Sequence, residues 1–189
     1  LNDESLLVAN ETIASRVSVL KENLAKWGKP NVVVTNNDTA SFSSLTGLFD
    51  LIVVDAPCSG EGLFRKDAEA VNEWNVQNCT LCSARQRRIL TNLFPALKEN
   101  GILIYCTCTY NPDENEKNVE WLCGNYSMEC ISIPVNSDWG IREINADGIL
   151  AYSFYPHKLK GEGFFISVMG KRSEQRPLPI KKKIGRAHV

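Results

Sequence analysis

Two short stretches of this 189-residue chain combine reactive side chains with a backbone suited to presenting them. The first, Leu51-Ile-Val-Val-Asp-Ala-Pro-Cys-Ser-Gly-Glu-Gly62, sets a carboxylate, Asp55, three residues before a thiol, Cys58, on a loop that its glycines keep open to close approach. The second, Gly101-Ile-Leu-Ile-Tyr-Cys-Thr-Cys108, also finishes on a thiol and continues as Thr109-Tyr-Asn-Pro-Asp-Glu-Asn-Glu116. Thiols so placed are candidates for covalent, nucleophilic chemistry once their surroundings favour the thiolate.

The elements that must deliver these groups are strands. Residues 51–54 are four apolar residues in a row, three of them β-branched, which suits a strand buried on both faces of a parallel sheet; Asp55, Pro57 and the glycines then end it. Residues 101–108 repeat the pattern after a glycine, so both thiols fall at the carboxyl ends of strands, the edge at which open α/β sheets bind ligands. Two further apolar runs, 5–9 and 31–35, are read as short buried strands, and each also ends on an acid, Glu11 and Asp38. An acid in such a place suits hydrogen bonding to two ribose hydroxyls. Glu11 is equally placed to be a carboxylate favoured at a helix N-terminus, and Asp38 to be a turn former.

The pair D-A-P-C-S-G-E-G and Y-C-T-C-T-Y-N-P-D-E-N-E resembles the two signature motifs of the RNA cytosine-5 methyltransferases of the NOL1/NOP2/Sun family, in the expected order. The resemblance runs from Val8-Ala-Asn-Glu11 to Gly161-Glu-Gly-Phe-Phe165. It implies an α/β fold, the Rossmann-like sheet of class I methyltransferases that use S-adenosylmethionine. It implies that Cys108 is the nucleophile and Cys58 the cysteine that assists product release. Glu11 would hold the cofactor ribose, Asp38 the adenine amino group, and Asp55 either the cofactor's methionine end or the cytosine amino edge. The implied substrate is RNA, ribosomal rather than transfer RNA, although enzymes for both share these motifs. Arg65-Lys66 fall where the family carries a basic residue, beside the first thiol, and suit a phosphate contact, though exposed basic pairs also occur as plain surface. His157 lies in Tyr155-Pro-His157-Lys-Leu-Lys-Gly-Glu-Gly163, similar to the family's last motif near the active site. Ser153-Phe154 stand where that motif often has an Arg.

The rest of the chain reads as scaffold. Ile13, Val17, Leu20 and Leu24 recur at helical spacing over 12–27, with Gly28 as the stop. A second helix is expected over 81–98, bent at Pro95, with Ile89, Leu90, Leu93 and Leu97 on the sheet and Arg85, Arg87 and Arg88 toward solvent. Asn111-Pro112-Asp113-Glu114 is a good helix start, which would set a positive helix end beside Cys108 and favour its thiolate. Residues 128–133 and 164–169 read as the last two strands.

Cys79-Thr-Leu-Cys82 has the spacing of half a zinc site, but Cys82 enters a helix and Cys106 and Cys108 end a strand. No metal is expected, and Cys79, Cys82, Cys106, Cys123 and Cys130 read as small buried residues. A cysteine hydrolase pairing Cys108 with His157 would leave the strand-end acids without a role. An RNA-binding scaffold without catalysis is the stronger rival reading.

Length and composition fit one domain with a tail: a catalytic domain over 1–170 and a basic tail over 171–189, working as a monomer. The net charge of -1 means that RNA contacts must come from local basic clusters. Seven cysteines without an apolar leader or a membrane-length run point to the reducing cytoplasm. The chain opens on Leu1, and no Gly-rich loop precedes Glu11. It is therefore expected to lack the sheet's first strand-loop-helix unit and to bind S-adenosylmethionine weakly.

Overall fold

A computed structural model describes residues 4–146 and 148–173. Its centre is the parallel pair β3 (Phe49–Asp55) and β4 (Leu97–Thr107), whose register sets Leu51 beside Ile102 and Asp55 beside Cys106. The two strands therefore end together, and both thiols leave the sheet on the same edge. β8 (Phe164–Lys171) runs antiparallel on the far side of β4 and pairs Thr107 with Phe165, which brings its entering loop to that same edge. Beyond it lie β7 (Ile149–Phe154) and β6 (Arg142–Ala146), with β5 (Met128–Cys130) pairing the other end of β8.

A second sheet holds only β1 (Leu7–Asn10) and β2 (Val32–Thr35), paired in parallel and joined through α1 (Val17–Trp27). α1 ends on Gly28, whose φ of 68° is the left-handed stop expected of it. β1 and β2 are half-buried rather than buried, because among the described residues β1 is bonded to β2 alone and neither strand joins β3.

The core lies on one face of the larger sheet. Ile52, Val54, Leu103, Tyr105, Phe165 and Met169 point into it and meet Leu90 of α3 (Val76–Leu93) with Val119 and Leu122 of α4 (Glu116–Asn125). The opposite face corrects the expectation of a strand covered on both sides: Leu51 and Val53 are 52% and 58% exposed, and Ile102 is exposed beside them. No described helix lies over them.

Three other expectations are corrected. The second helix begins earlier and ends at Leu93. Pro95 sits in a 3-10 turn, Phe94–Ala96, and ends the helix instead of bending it, so Leu97 opens β4. The extra residues 98–101 form a bulge, since β4 advances from Leu97 to Ile102 while β3 advances only from Phe49 to Leu51, and Asn100 takes a positive φ of 60° there. Between β5, which stops at Cys130, and β8 the structure adds the β6–β7 hairpin, for which Asp147-Gly148 was the available sequence signal. Regular helix in α4 begins only at Glu116. Asn111 does cap a turn, accepting at Oδ1 from the Asp113 N–H at 2.9 Å, but that turn comes before the helix.

Of the tail, residues from 174 on lie outside the described residues. Lys171 still belongs to the folded part: its Nζ donates to the carbonyl of Leu97 at 2.8 Å and lies 4.2 Å above the Phe94 ring, while Arg172 pairs with Glu129. No helix among the described residues is long and apolar enough to cross a membrane.

Candidate active site

The loops after β3 and β4 bring Cys58 and Cys108 together, with 3.0 Å between the two sulfurs and both residues half-buried. The hydrogen bond between them has consequences of opposite sign. Either sulfur can donate; with Cys58 as the donor, its thiol is held well above its ordinary pKa, and Cys108, which receives that bond, is lowered. The lowering thus comes from the neighbouring thiol rather than from a helix end. Burial and the charge of Asp55 oppose it. Asp55 itself is exposed at the end of β3, and its charge, after burial, helps push Cys106 up to about 12. Cys106 stays a buried thiol whose sulfur faces the Val54 carbonyl.

Each cysteine is gripped through the residues on either side of it. Before Cys58, the Pro57 carbonyl accepts from Gln86 Nε2 at 2.9 Å; after it, the Ser59 N–H donates to Glu114 Oε2 at 3.0 Å. Around Cys108 a single side chain, Asn115, does both jobs: it accepts from the Thr107 hydroxyl at 2.6 Å and donates to the Thr109 carbonyl at 2.9 Å. The Cys108 carbonyl accepts from the Gly62 N–H at 2.9 Å, and the hydroxyls of Ser59 and Thr109 meet at 3.0 Å. Gly62 is needed there, since a Cβ would stand 2.7 Å from the Cys108 carbonyl oxygen and 2.6 Å from that of Gly163. Gly163 in turn lies flat against the Tyr110 ring, where a Cβ would overlap the phenol.

Glu61, on the loop of Cys58, reaches the other loop. Its Oε2 accepts from the Tyr110 N–H at 3.1 Å, and its Oε1 accepts from Trp74 Nε1 at 2.9 Å and Asn111 Nδ2 at 3.3 Å. Glu114 is fully buried, and that burial raises its carboxyl above the usual range. Sequence reasoning did not single out Glu61, Glu114, Gln86 or Asn115. Glu61, Glu114 and Asn115 lie inside the quoted motifs, and for the two acids a place in a loop flanked by glycine or by a helix start was the signal that went unread.

The other expected site residues lie around this centre. Arg65 Nη2 donates to the Gly161 carbonyl at 2.6 Å and Lys66 pairs with Glu162 at 3.1 Å, so the basic pair is tied to the loop that leads into β8. His157 is exposed, its ring 5.5 Å from that of Tyr155, which stacks on Tyr110 at 5.3 Å. The sulfur partner of Cys108 is Cys58, not His157. Glu11 accepts from the Ile13 N–H at 2.9 Å and lies 3.4 Å from Arg16; Asp38 caps a 3-10 turn by accepting from the Ala40 N–H at 2.9 Å, with Arg88 at 3.9 Å. Arg87 turns inward, against expectation, donating to Asn118 Oδ1 at 2.8 Å with its guanidinium 5.4 Å from the Trp121 ring centre. Cys79 and Cys82 are buried along α3.

Acids at the ends of β1, β2 and β3, with a thiol pair after β3 and β4, among parallel strands and helices, define a class I methyltransferase domain. Solved structures agree. A Pyrococcus horikoshii NSun6 crystallised with SFG superposes with a TM-score of 0.76 at 26% identity over 91% of this chain and 43% of that one. PH0851 gives 0.78 at 24% over 88% and 37%, a likeness of fold. The family described as 16S rRNA methyltransferase RsmB/F matches residues 1–170, and the chain belongs to it. Among its relatives, the ribosomal RNA small subunit methyltransferase F of Enterobacter sp. (strain 638) is 38% identical over 98% of this chain, and that of Vibrio atlanticus (strain LGP32) is 35% identical over the same share. The chain spans 39% and 40% of those two proteins.

The family's methyl donor is S-adenosylmethionine, and the residues present suit it. Glu11 and Asp38 follow β1 and β2, Asp55 ends β3, and all three offer carboxylate oxygens as acceptors. That matches the hydroxyl and amino donors of an adenosine and a positively charged methionine end.

Proposed function

We propose that this chain carries the reaction centre of an enzyme that methylates C5 of a cytosine in RNA, the small-subunit ribosomal RNA named in its relatives. The observation that carries the proposal is the 3.0 Å meeting of Cys58 and Cys108 at the shared end of β3 and β4. C5 of cytosine is a poor nucleophile until a group adds at C6. Cys108, the sulfur whose pKa is lowered, adds there and turns C5 into an enamine carbon. Bound S-adenosylmethionine supplies the methyl group, and Glu11, Asp38 and Asp55 would hold it. When C5 has been methylated and has lost its proton, the C6–sulfur bond breaks, the ring is restored and the Cys108 thiolate is free again. Cys58, already hydrogen-bonded to that sulfur, assists this release. The target base must be unpaired or flipped out, at a cost of a few kcal/mol that RNA contacts offset. Arg65, Lys66 and His157, on the same edge, are the residues assigned to those contacts.

The test is made in the full-length protein with RNA and S-adenosylmethionine. Cys108→Ala is expected to give no covalent RNA complex. Cys58→Ala is expected to attack and methylate but stall, leaving a denaturation-resistant protein–RNA band, and the double variant should look like Cys108→Ala because the first step gates the second. An adduct formed by Cys108→Ala would overturn the assignment.

A further inference from the structure

The two loops exchange carboxylates. Glu61 follows Cys58 by three residues yet takes its hydrogen bonds from Tyr110 and Asn111, just after Cys108. Glu114 follows Cys108 by six residues yet takes its bonds from Ser59, next to Cys58, and from Gln86, whose other N–H holds Pro57 on the far side of the same cysteine. Both carboxylates are buried, Glu61 at 9% exposed and Glu114 at 0%. Two such groups near a thiol that must ionise disfavour that ionisation, so simple loop anchoring would be better served by neutral side chains. What a carboxylate offers instead is acceptors without donors: it binds several N–H groups and has no hydrogen with which to compete for a sulfur.

We propose that Glu61 and Glu114 are positioning residues, a reciprocal clamp that fixes Cys58 against Cys108 at the spacing required for adduct release. The proposal rests on the cysteine roles given above. Neither glutamate touches the reacting atoms. Each acts through peptide groups that flank a cysteine or through the loop that follows it.

Hydrogen-bond counting makes the two halves of the clamp unequal. Glu61 serves three donors with two oxygens: Trp74 and Asn111 on Oε1, Tyr110 on Oε2. An amide there must turn its NH₂ toward a donor. Glu114 takes the bonds from the Ser59 N–H and from Gln86 on Oε2, while Oε1 is buried with no partner among the described residues. An amide at 114 keeps both bonds with its oxygen and leaves its NH₂ where no donor stands. Glu61→Gln is therefore expected to open the clamp and Glu114→Gln to preserve it, although the two substitutions are chemically the same.

The spacing itself is read in this chain, without RNA or cofactor, by dibromobimane, which fluoresces once both of its arms have alkylated thiols; peptide mass spectrometry reports the species bridging Cys58 and Cys108. Wild type and Glu114→Gln are expected to bridge equally. Glu61→Gln and Glu114→Ala are expected to lose most of the bridged species while keeping the wild-type far-ultraviolet dichroism. If Glu61→Gln does not fold, Asn111→Ala, which removes one donor from a half-buried site, is expected to give a partial loss.

In the full-length enzyme, Glu61→Gln and Glu114→Ala are expected to lower kcat about a hundredfold, the scale of a misplacement near 1 Å, with KM for RNA unchanged and a longer-lived adduct. Bridging by Glu61→Gln at the wild-type level, or its loss in Glu114→Gln, would overturn the clamp. If bridging follows the clamp while Cys108→Ala still forms the RNA adduct, the sulfur assignment fails and the clamp stands.

Discussion

The edge formed by β3 and β4 and the edge formed by β1 and β2 both carry carboxylates, but they hold them differently. Beside the cysteines, the bonds come from far along the chain: Ser59 to Glu114, Gln86 to Pro57, Tyr110 to Glu61. Beside β1 and β2 the carboxylates take their hydrogen bonds close to home, Glu11 from the N–H of Ile13 and Asp38 from that of Ala40, Arg88 reaching Asp38 only at 3.9 Å, and both keep contact with solvent. Distant partners fix a geometry before substrate arrives, which is what a step between two sulfurs requires. Local partners are released at little cost, which is what a carboxylate waiting for a ligand's hydroxyls or amino group requires.

The sharpest way to break that contrast is to remove one anchor from each edge and compare stabilities in urea. Asn115→Ala orphans the buried Thr107 hydroxyl and Thr109 carbonyl and is expected to cost about 3 kcal/mol. Asp38→Ala removes only a cap on a short exposed turn and is expected to cost about 1 kcal/mol. Equal losses would erase the distinction between the edges.

A smaller effect concerns charge. With Cys58 as the donor of the pair, Cys108 has a lowered pKa, so at any pH below the ordinary thiol value of about 8.5 more of it is thiolate than of a free cysteine. Its alkylation by iodoacetamide, followed by peptide mass spectrometry, is expected to reach half its limiting rate below that pH. Cys58→Ala should move the midpoint up, and a midpoint that stays put would assign the lowering to something other than the thiol pair.

The smallest expected effect is on pH-dependent stability at Glu114. Burial raises its carboxyl in the folded chain, so the folded state keeps this proton to higher pH than the unfolded one does. The contribution is therefore full below the unfolded value, about 4.3, and is lost as the pH rises through the folded value. A proton there fits Oε1, the oxygen that faces no donor. Glu114→Gln, neutral at every pH, is expected to be more stable than wild type at neutral pH, with the difference shrinking toward pH 4 in urea titrations.

How much of this the sequence disclosed differs between strands and loops. The runs that became β3 and β4 were legible because four apolar residues ended by an acid, a proline or a threonine leave few alternatives. The cysteines were legible because their motifs are long. Pro95 was misjudged: periodicity carried a helix through Leu97, whereas the missing N–H stopped it at Leu93, and the next apolar residue was free to begin a strand. Burial on both faces of β3 was misjudged because Leu51 and Val53 show what a face is suited to, not what covers it. The clamp was invisible for a deeper reason. Glu61 and Glu114 are common surface types, and only the folding of two distant loops onto each other made them buried acceptors.

The contact of Gly62 with Gly163 has a consequence for heredity. Every residue other than glycine that a single base change can produce from a glycine codon carries a β-carbon, and at either position that carbon would land on atoms already in place. One-step mutation thus offers this pair no neutral neighbour. Gly124, with nothing near its missing Cβ and an ordinary φ, is open to the same changes. A library of single-base variants sorted for function should therefore hold no amino-acid substitution at codons 62 and 163 and several at codon 124.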